Sequence, residues 1–169
     1  METLYHIKQV LKAYSEAAED TYKRILVREG KPASGELLNS VHARVIGDDN
    51  VAYEVVLDLA YYWKFIEGGS KGSESSPAGA VYKSHWPPVN AILDWIRVKP
   101  ILPRPMENGK LPTTKQLAYL IGRKIKTKGI EPVPVLAETI EELNRRFLEE
   151  IKTALALDVR DYLYSTLRG

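Results

Sequence analysis

The sequence predicts an α+β fold: a small antiparallel sheet packed by a long N-terminal helix, two short helices and a long C-terminal helix, with two extended loops. Apolar residues recur every three or four positions near both ends of the chain, which is typical of amphipathic helices. Between residues 41 and 59 they alternate with polar residues, as in a strand with one buried face. With 169 residues, 44% of them hydrophobic, the chain is predicted to form a single domain over 1–169.

The N-terminal helix is predicted from an apolar stripe that runs from Leu4 to Ile25, with charged residues between its members. We expect it to end near Gly30-Lys31-Pro32, because glycine and proline both interrupt helices.

A β-hairpin is predicted next, with strands over 41–45 and 51–59 joined by a turn at 47–50. The aromatic segment 60–67 follows it. Its pattern is compatible with a short helix or with a continuing strand, and periodicity does not choose between them.

A proline pair, Pro87-Pro88, marks the start of a short helix predicted over about 88–98. Proline holds φ near the helical value and loses no hydrogen bond in a first turn. This helix is expected to bury Ile92, Trp95 and Ile96.

Two further helices complete the prediction. Thr113 or Thr114 is placed to cap a helix whose apolar stripe continues to Ile125. Pro132 and Pro134 then precede a terminal helix of roughly 30 residues. The loops at 68–85 and 99–113 are expected to be mobile in an isolated subunit and to become ordered on contact with neighbouring subunits.

Composition excludes several classes of chemistry. The chain has no cysteine, which rules out disulfides, thiolate catalysis and cysteine-based zinc sites. Its 24 basic and 22 acidic residues give a net charge of only +2, without the basic excess usual for sequence-independent DNA binding. No apolar run approaches the roughly 20 residues of a membrane span, so no membrane partner is predicted and synthesis in a cytosol is expected.

Neither catalysis nor a cofactor is predicted. The three histidines, His6, His42 and His85, are far apart and lack the spacing of metal ligands. A small hydrolase that uses Ser84-His85 with Asp94 is a remote alternative, since no nucleophile elbow surrounds the serine. We therefore predict a non-enzymatic protein without metal or cofactor.

Two sets of residues are candidate binding surfaces. One is a basic run near the end of the helix over 114–128, which is either a solvated face that complements the helix dipole or the binding face of a nucleic-acid-binding module. Its members are Arg123, Lys124, Lys126 and Lys128. The other is a candidate subunit interface near the first loop, where aromatic side chains are suited to act as hot spots. Its members are Trp63, Phe65, Glu67, Lys71, Tyr82 and Trp86.

Five segments in a fixed order carry a resemblance to a known family. They are 33–41, 61–69, 87–96, 117–125 and 129–136. This succession, within about residues 30–145, resembles the tail-completion (head–tail joining, or neck) protein family of long-tailed bacteriophages. The family pattern has a Glu-Phe-Gly-type segment where this chain has 66–69, and an aromatic residue at the position of Val135.

The resemblance implies a structural virion protein of the phage neck, made in the host cytoplasm. It implies a ring of six or twelve copies that joins the head connector or adaptor proteins to the tail tube or tail terminator. DNA would pass through the lumen of that ring only transiently, and the near-neutral net charge suits such a conduit.

Overall fold

The computed structural model describes residues 4–30, 35–47, 52–60, 63–74, 76, 79–82, 84–99, 101–107 and 109–168. The order of its helices and strands is α1 (Tyr5–Arg28), α2 (Glu36–Ser40), β1 (His42–Gly47), β2 (Tyr53–Asp58), α3 (Trp63–Glu67), β3 (Ser70–Lys71), α4 (Val89–Val98), α5 (Thr114–Lys128), β4 (Gly129–Ile130) and α6 (Val135–Leu167). The predicted α+β class is confirmed, with the hairpin between two long terminal helices. Both proline-marked helix starts are confirmed, and the end of the aromatic segment 60–67 is helical.

Contacts divide the chain into two compact units. Unit 1 comprises residues 1–29, 37–60 and 135–169, and unit 2 comprises residues 30–36 and 61–134. Unit 1 therefore joins three stretches that are far apart in sequence. That the whole chain folds as one domain stays a prediction.

Unit 1 is built on α1 and α6, which pack antiparallel. Arg28 at the end of α1 pairs with Glu138 at the start of α6 at 2.6 Å. In the middle of both helices the rings of Tyr14 and Phe147 meet edge to face, with centroids 5.3 Å apart. The guanidinium of Arg28 holds the pKa of the Glu138 carboxyl below its usual value, mainly through their hydrogen bond.

The hairpin packs on the same helix α1. Its register pairs Ala43 with Leu57 and Val45 with Val55, so these four side chains share one face. All four are only partly buried. Because the sheet has two strands, the outer edge of each has no strand partner among the described residues.

The first turn of α1 is capped by a side chain from the distant end of α6. Its N-cap residue, Leu4, offers no side-chain acceptor and has a positive φ of 61°. Asp158 takes that role: its two carboxylate oxygens accept the backbone N–H groups of His6 at 2.9 Å and Ile7 at 2.8 Å. Asp158 is 6% exposed, so this cap ties the two helices together inside unit 1.

Unit 2 contains the packed pair α4 and α5. Thr113 caps α5 through a capping box with Gln116, as predicted for one of the two threonines. Helices α4 and α5 approach closely at Gly122, which is buried on α5. A Cβ added there would lie 3.4 Å from the side chain of Ile92 on α4, so the absence of a side chain leaves room for Ile92. Of the three side chains predicted to be buried on α4, only Ile92 is buried. The prediction is wrong for Trp95 and Ile96, which are only partly buried, and the ammonium of Lys99 stands 5.5 Å from the Trp95 ring centroid.

A second two-stranded sheet, β3 with β4, was not predicted from the sequence. Its strand β3 lies within the predicted loop 68–85 and pairs with β4, which directly follows α5. The segment after β3 is hydrogen-bonded as well: the N–H groups of Ser73 and Glu74 donate to carbonyls at the end of α5, each at 2.9 Å. Those carbonyls have no partner within their own helix, so the segment satisfies them. Gly129 makes the approach possible, since it has a φ of +88° and an added Cβ would lie 2.0 Å from a carbonyl oxygen of β3.

Candidate functional site

The two units carry opposite net charge. Unit 1 has 11 basic and 16 acidic residues and unit 2 has 13 basic and 6 acidic residues, which gives net charges of −5 and +7. The near-neutral value of the whole chain is therefore an average over two strongly charged parts. Linear sequence reasoning missed this, because unit 1 is assembled from three separate stretches of chain.

The predicted interface residues all belong to unit 2. Phe65 and Trp86 are exposed, at 46% and 42% of their surface, whereas Trp63 and Tyr82 are partly buried. The remaining two members are partly buried Glu67 and exposed Lys71.

Trp86 forms an aromatic and cationic cluster on α5. Its ring lies 5.2 Å from the ring of Tyr119, at an interplanar angle of 36°, and the ammonium of Lys126 is 5.2 Å from its centroid. The Trp86 ring also packs beside Gly122, since a Cβ added at Gly122 would lie 3.7 Å from it. Tyr119 and Trp86 remain more than 40% exposed, so the cluster presents flat aromatic surface to solvent.

The four cations of the predicted basic face have different surroundings. Lys126 is held by the Trp86 ring, and Lys128 forms an ion pair of 2.7 Å with Glu74, which raises the pKa of Lys128. Arg123 and Lys124 are exposed, and among the described residues neither takes part in an ion pair. Successive helix residues are offset by about 100°, so the two free cations point in different directions rather than along one line.

The residues of the remote hydrolase alternative do not come together. Asp94 is paired with Arg97 of its own helix at 2.8 Å. The ring of His85 instead packs edge to face on Tyr82 at 5.4 Å. Over the part of the chain that the structure describes, no hydrogen bond links Asp94 or Ser84 to His85, and no three histidine or carboxylate side chains form a metal-binding cluster.

Unit 1 has an open apolar groove that sequence reasoning did not identify. It lies between β2 and helices α1 and α6, and has a volume of about 440 Å³. Its lining consists of Leu11, Tyr14, Ala18, Val55, Leu57, Leu136, Thr139, Ile140, Leu143, Asn144 and Ile151. Ile140 is 45% exposed although it is apolar, which marks the groove as a surface suited to an apolar partner.

The loop 99–113 of unit 2 also exposes apolar side chains. Its described residues form a tight turn in which Met106 accepts the N–H of Gly109 at 2.8 Å. Leu102 precedes this turn and is 95% exposed, and Leu111 follows it and is 61% exposed. Large apolar side chains exposed on a proline-rich loop are typical of residues that a partner covers.

A second exposed apolar stripe follows the outer side of α6. It repeats at intervals of three, four and seven residues, which places its members on one side of the helix. Its members are Leu148, Leu155, Val159 and Tyr162, each between 44% and 60% exposed. Sequence periodicity placed Leu155 and Val159 in the same apolar stripe as the buried Leu143 and Phe147, because spacing does not show which apolar positions are covered.

These surfaces cannot be assigned by similarity, because the chain has no significant match to a protein-family model, a curated protein or a solved structure. None of the helices in the described ranges combines the length and apolar character needed to cross a membrane. The apolar groove, the exposed leucines and the opposite charges of the two units are thus the features from which a function is inferred.

Proposed function

We propose that the protein is a structural subunit of a bacteriophage neck, which assembles as a ring between head connector and tail and leaves an opening for DNA. The geometric observation that carries this proposal is the presence of uncovered apolar surface on both units, in the groove beside Ile140 and at Leu102. A subunit of a ring contacts one neighbour on each side, so it needs at least two such surfaces.

The order of motifs over 33–136 supports the choice of assembly. Proline-started helices and capped ends give a subunit of defined shape, as the Thr113 capping box and the Asp158 cap illustrate. The interface residues named from the sequence are proposed contacts within this ring, with Phe65 and Trp86 the most exposed aromatic members.

The proposal is tested on particles of the phage that encodes the chain. We expect the protein in purified virions, in six or twelve copies by quantitative mass spectrometry, and at the neck by antibody-labelled electron microscopy. Removal of the gene should leave filled heads and finished tails unjoined, and a plasmid copy should restore joining. Absence of the protein from virions, or normal joining without it, would refute the proposal.

A nucleic-acid-binding module is the second candidate, and two observations favour it. Unit 2 has a net charge of +7, and Trp86 and Tyr119 offer stacked aromatic surface beside Lys126. Aromatic faces next to cations bind single-stranded nucleic acid by base stacking and phosphate attraction.

DNA binding by the purified protein separates the two candidates. The basic run is changed to glutamine at Arg123, Lys124, Lys126 and Lys128, and the matched control changes four exposed cations of unit 1, Lys12, Arg145, Lys152 and Arg160. For a neck protein we expect weak binding at physiological salt and little difference between the variants. Submicromolar binding that is lost only in the unit 2 variant, with a steep salt dependence, would favour the nucleic-acid-binding module.

A further inference from the structure

The groove of unit 1 and the loop of unit 2 both present apolar side chains to solvent. The groove is open, about 440 Å³ in volume, and lined mainly by aliphatic side chains. That volume lies within the usual range of pockets that receive a ligand group. Leu102 is the most exposed large apolar side chain of the described residues, at 95%. Each surface is left uncovered by the other residues of its own unit.

We propose that the loop 99–113 of one copy docks in the unit 1 groove of a second copy, with Leu102 as the buried anchor. The inference rests on the proposed ring function and names the contact that would build the ring. The partner is therefore another copy of this chain, and the contact joins a basic unit to an acidic one.

Charge favours this occupant. The loop carries Lys99, Arg104 and Lys110 against the single acid Glu107, within a unit of net charge +7. The groove belongs to a unit of net charge −5. Contacts between like units of two copies would be repulsive, so the opposite charges select the unlike pairing and orient the encounter.

The composition of the loop lowers the cost of docking. The loop is expected to be mobile in an isolated subunit, but Pro103, Pro105 and Pro112 each restrict φ beside or near the two exposed leucines. Less conformational freedom is therefore lost on binding than in a loop without prolines. Burial of a leucine side chain in an apolar site then contributes most of its transfer free energy to the contact.

The geometry of such a contact leads to a ring. Loop and groove are different surfaces, and each copy has one of each, so every docked copy still offers a free groove or a free loop. A contact of this kind is heterologous, and it closes into a ring when the rotation between neighbours divides a full turn.

Self-association of the full chain tests the loop side of the contact. Leu102→Ser should weaken association by about 10- to 100-fold in sedimentation or mass photometry, because a buried leucine is replaced by a polar group. The matched control is Leu167→Ser, which changes another exposed leucine, at 82%, outside the loop and the groove. The control should associate like the unchanged protein.

The groove side is tested in the same way. Ile140→Lys places a charge in the groove and should abolish association, whereas Val159→Lys, on the outer stripe of α6, should not. Circular dichroism checks that each variant is folded. If Ile140→Lys does not fold, the effect of Leu102→Ser on self-association decides whether the proposed contact exists. Association should also weaken between about 50 mM and 500 mM salt, since the units attract through opposite charge.

Cross-linking shows where the copies meet. The natural chain has no cysteine, so single-cysteine variants Leu102→Cys and Ile140→Cys can be mixed and treated with a short bismaleimide. We expect linked pairs from this mixture and none when Leu167→Cys replaces Leu102→Cys. Because each chain has one thiol, every linked pair reports a contact between copies.

The outcomes separate this contact from the ring function itself. A ring that forms equally well with Leu102→Ser, or that links only through Leu167→Cys, would overturn the loop-in-groove contact and leave the neck function standing. A chain that stays monomeric at all concentrations and salts would overturn the contact. Its absence from virions would in addition overturn the neck function.

Discussion

Asp158 should be one of the most important polar side chains for the stability of unit 1. Its carboxylate accepts two backbone N–H groups at the start of α1, from His6 at 2.9 Å and Ile7 at 2.8 Å, while its own side chain is almost completely buried. A hydrogen bond to a charged group contributes about 1.5–3 kcal/mol to stability. Because water can reach part of the freed helix end, we expect Asp158→Ala to lower the free energy of unfolding by about 2–4 kcal/mol.

Two companion variants make this prediction specific. Asp158→Asn keeps one acceptor oxygen and should lose about half as much, roughly 1–2 kcal/mol. Asp161→Ala removes the partly exposed contact between Asp161 and the His6 ring, 3.2 Å apart, together with the ion pair between Asp161 and Arg160, and should change stability little.

Urea unfolding followed by far-ultraviolet circular dichroism gives the three unfolding free energies. Amide exchange should in addition accelerate at His6 and Ile7 in Asp158→Ala. An Asp158→Ala protein within about 0.5 kcal/mol of the unchanged protein, or no less stable than Asp161→Ala, would refute the role of this cap.

Three further predictions concern the remaining fold. Trp95→Ala should cost about 1–2 kcal/mol in urea unfolding, below the 3–5 kcal/mol typical of a buried aromatic residue, because Trp95 is only partly buried; a loss of about 4 kcal/mol would contradict that placement. Gly129→Ala should destabilise unit 2 by more than Gly109→Ala, as both have positive φ but only Gly129 has a backbone oxygen 2.0 Å from the new Cβ; equal thermal melting of the two variants would contradict the close approach. Glu138 and Glu19 have lowered pKa values in the folded state, chiefly through hydrogen bonds to basic side chains, so their stabilising contribution is present at neutral pH and is lost as the pH falls below about 4.5. The double variant Glu19→Gln and Glu138→Gln should lose less of its free energy of unfolding as the pH falls. A pH dependence of unfolding equal to that of the unchanged protein would contradict this role of the two carboxylates.

Most of the fold could be predicted from local pattern. The stripe from Leu4 to Ile25 predicted α1, the alternation over 41–59 predicted the hairpin, and Pro134 predicted the start of α6 at the next residue. Each of these signals depends on residues within a few positions of one another. The wrong prediction for Trp95 has a different origin: helical spacing shows which side of a helix is apolar, but the depth of its burial depends on what packs against it.

The candidate surfaces were predicted less completely. Phe65 and Trp86 were predicted to be subunit-interface residues; both are exposed in a single copy, and their role in an interface stays a prediction. The four cations were treated as one face, yet Lys126 and Lys128 are engaged by Trp86 and Glu74. Those partners lie some 40 to 55 positions away in sequence, and no local pattern connects them.

The sequence by itself determined the class of fold, the number and order of the main helices, the hairpin, and the absence of cysteine chemistry. These follow from periodicity, proline geometry and composition, which act over short stretches of chain. Only the tertiary structure decided the cap of α1 by Asp158, the pairing of β3 with β4, the apolar groove and the division into units of charge −5 and +7. The physical reason is common to all four: each depends on groups that approach one another only when distant segments of the chain pack together.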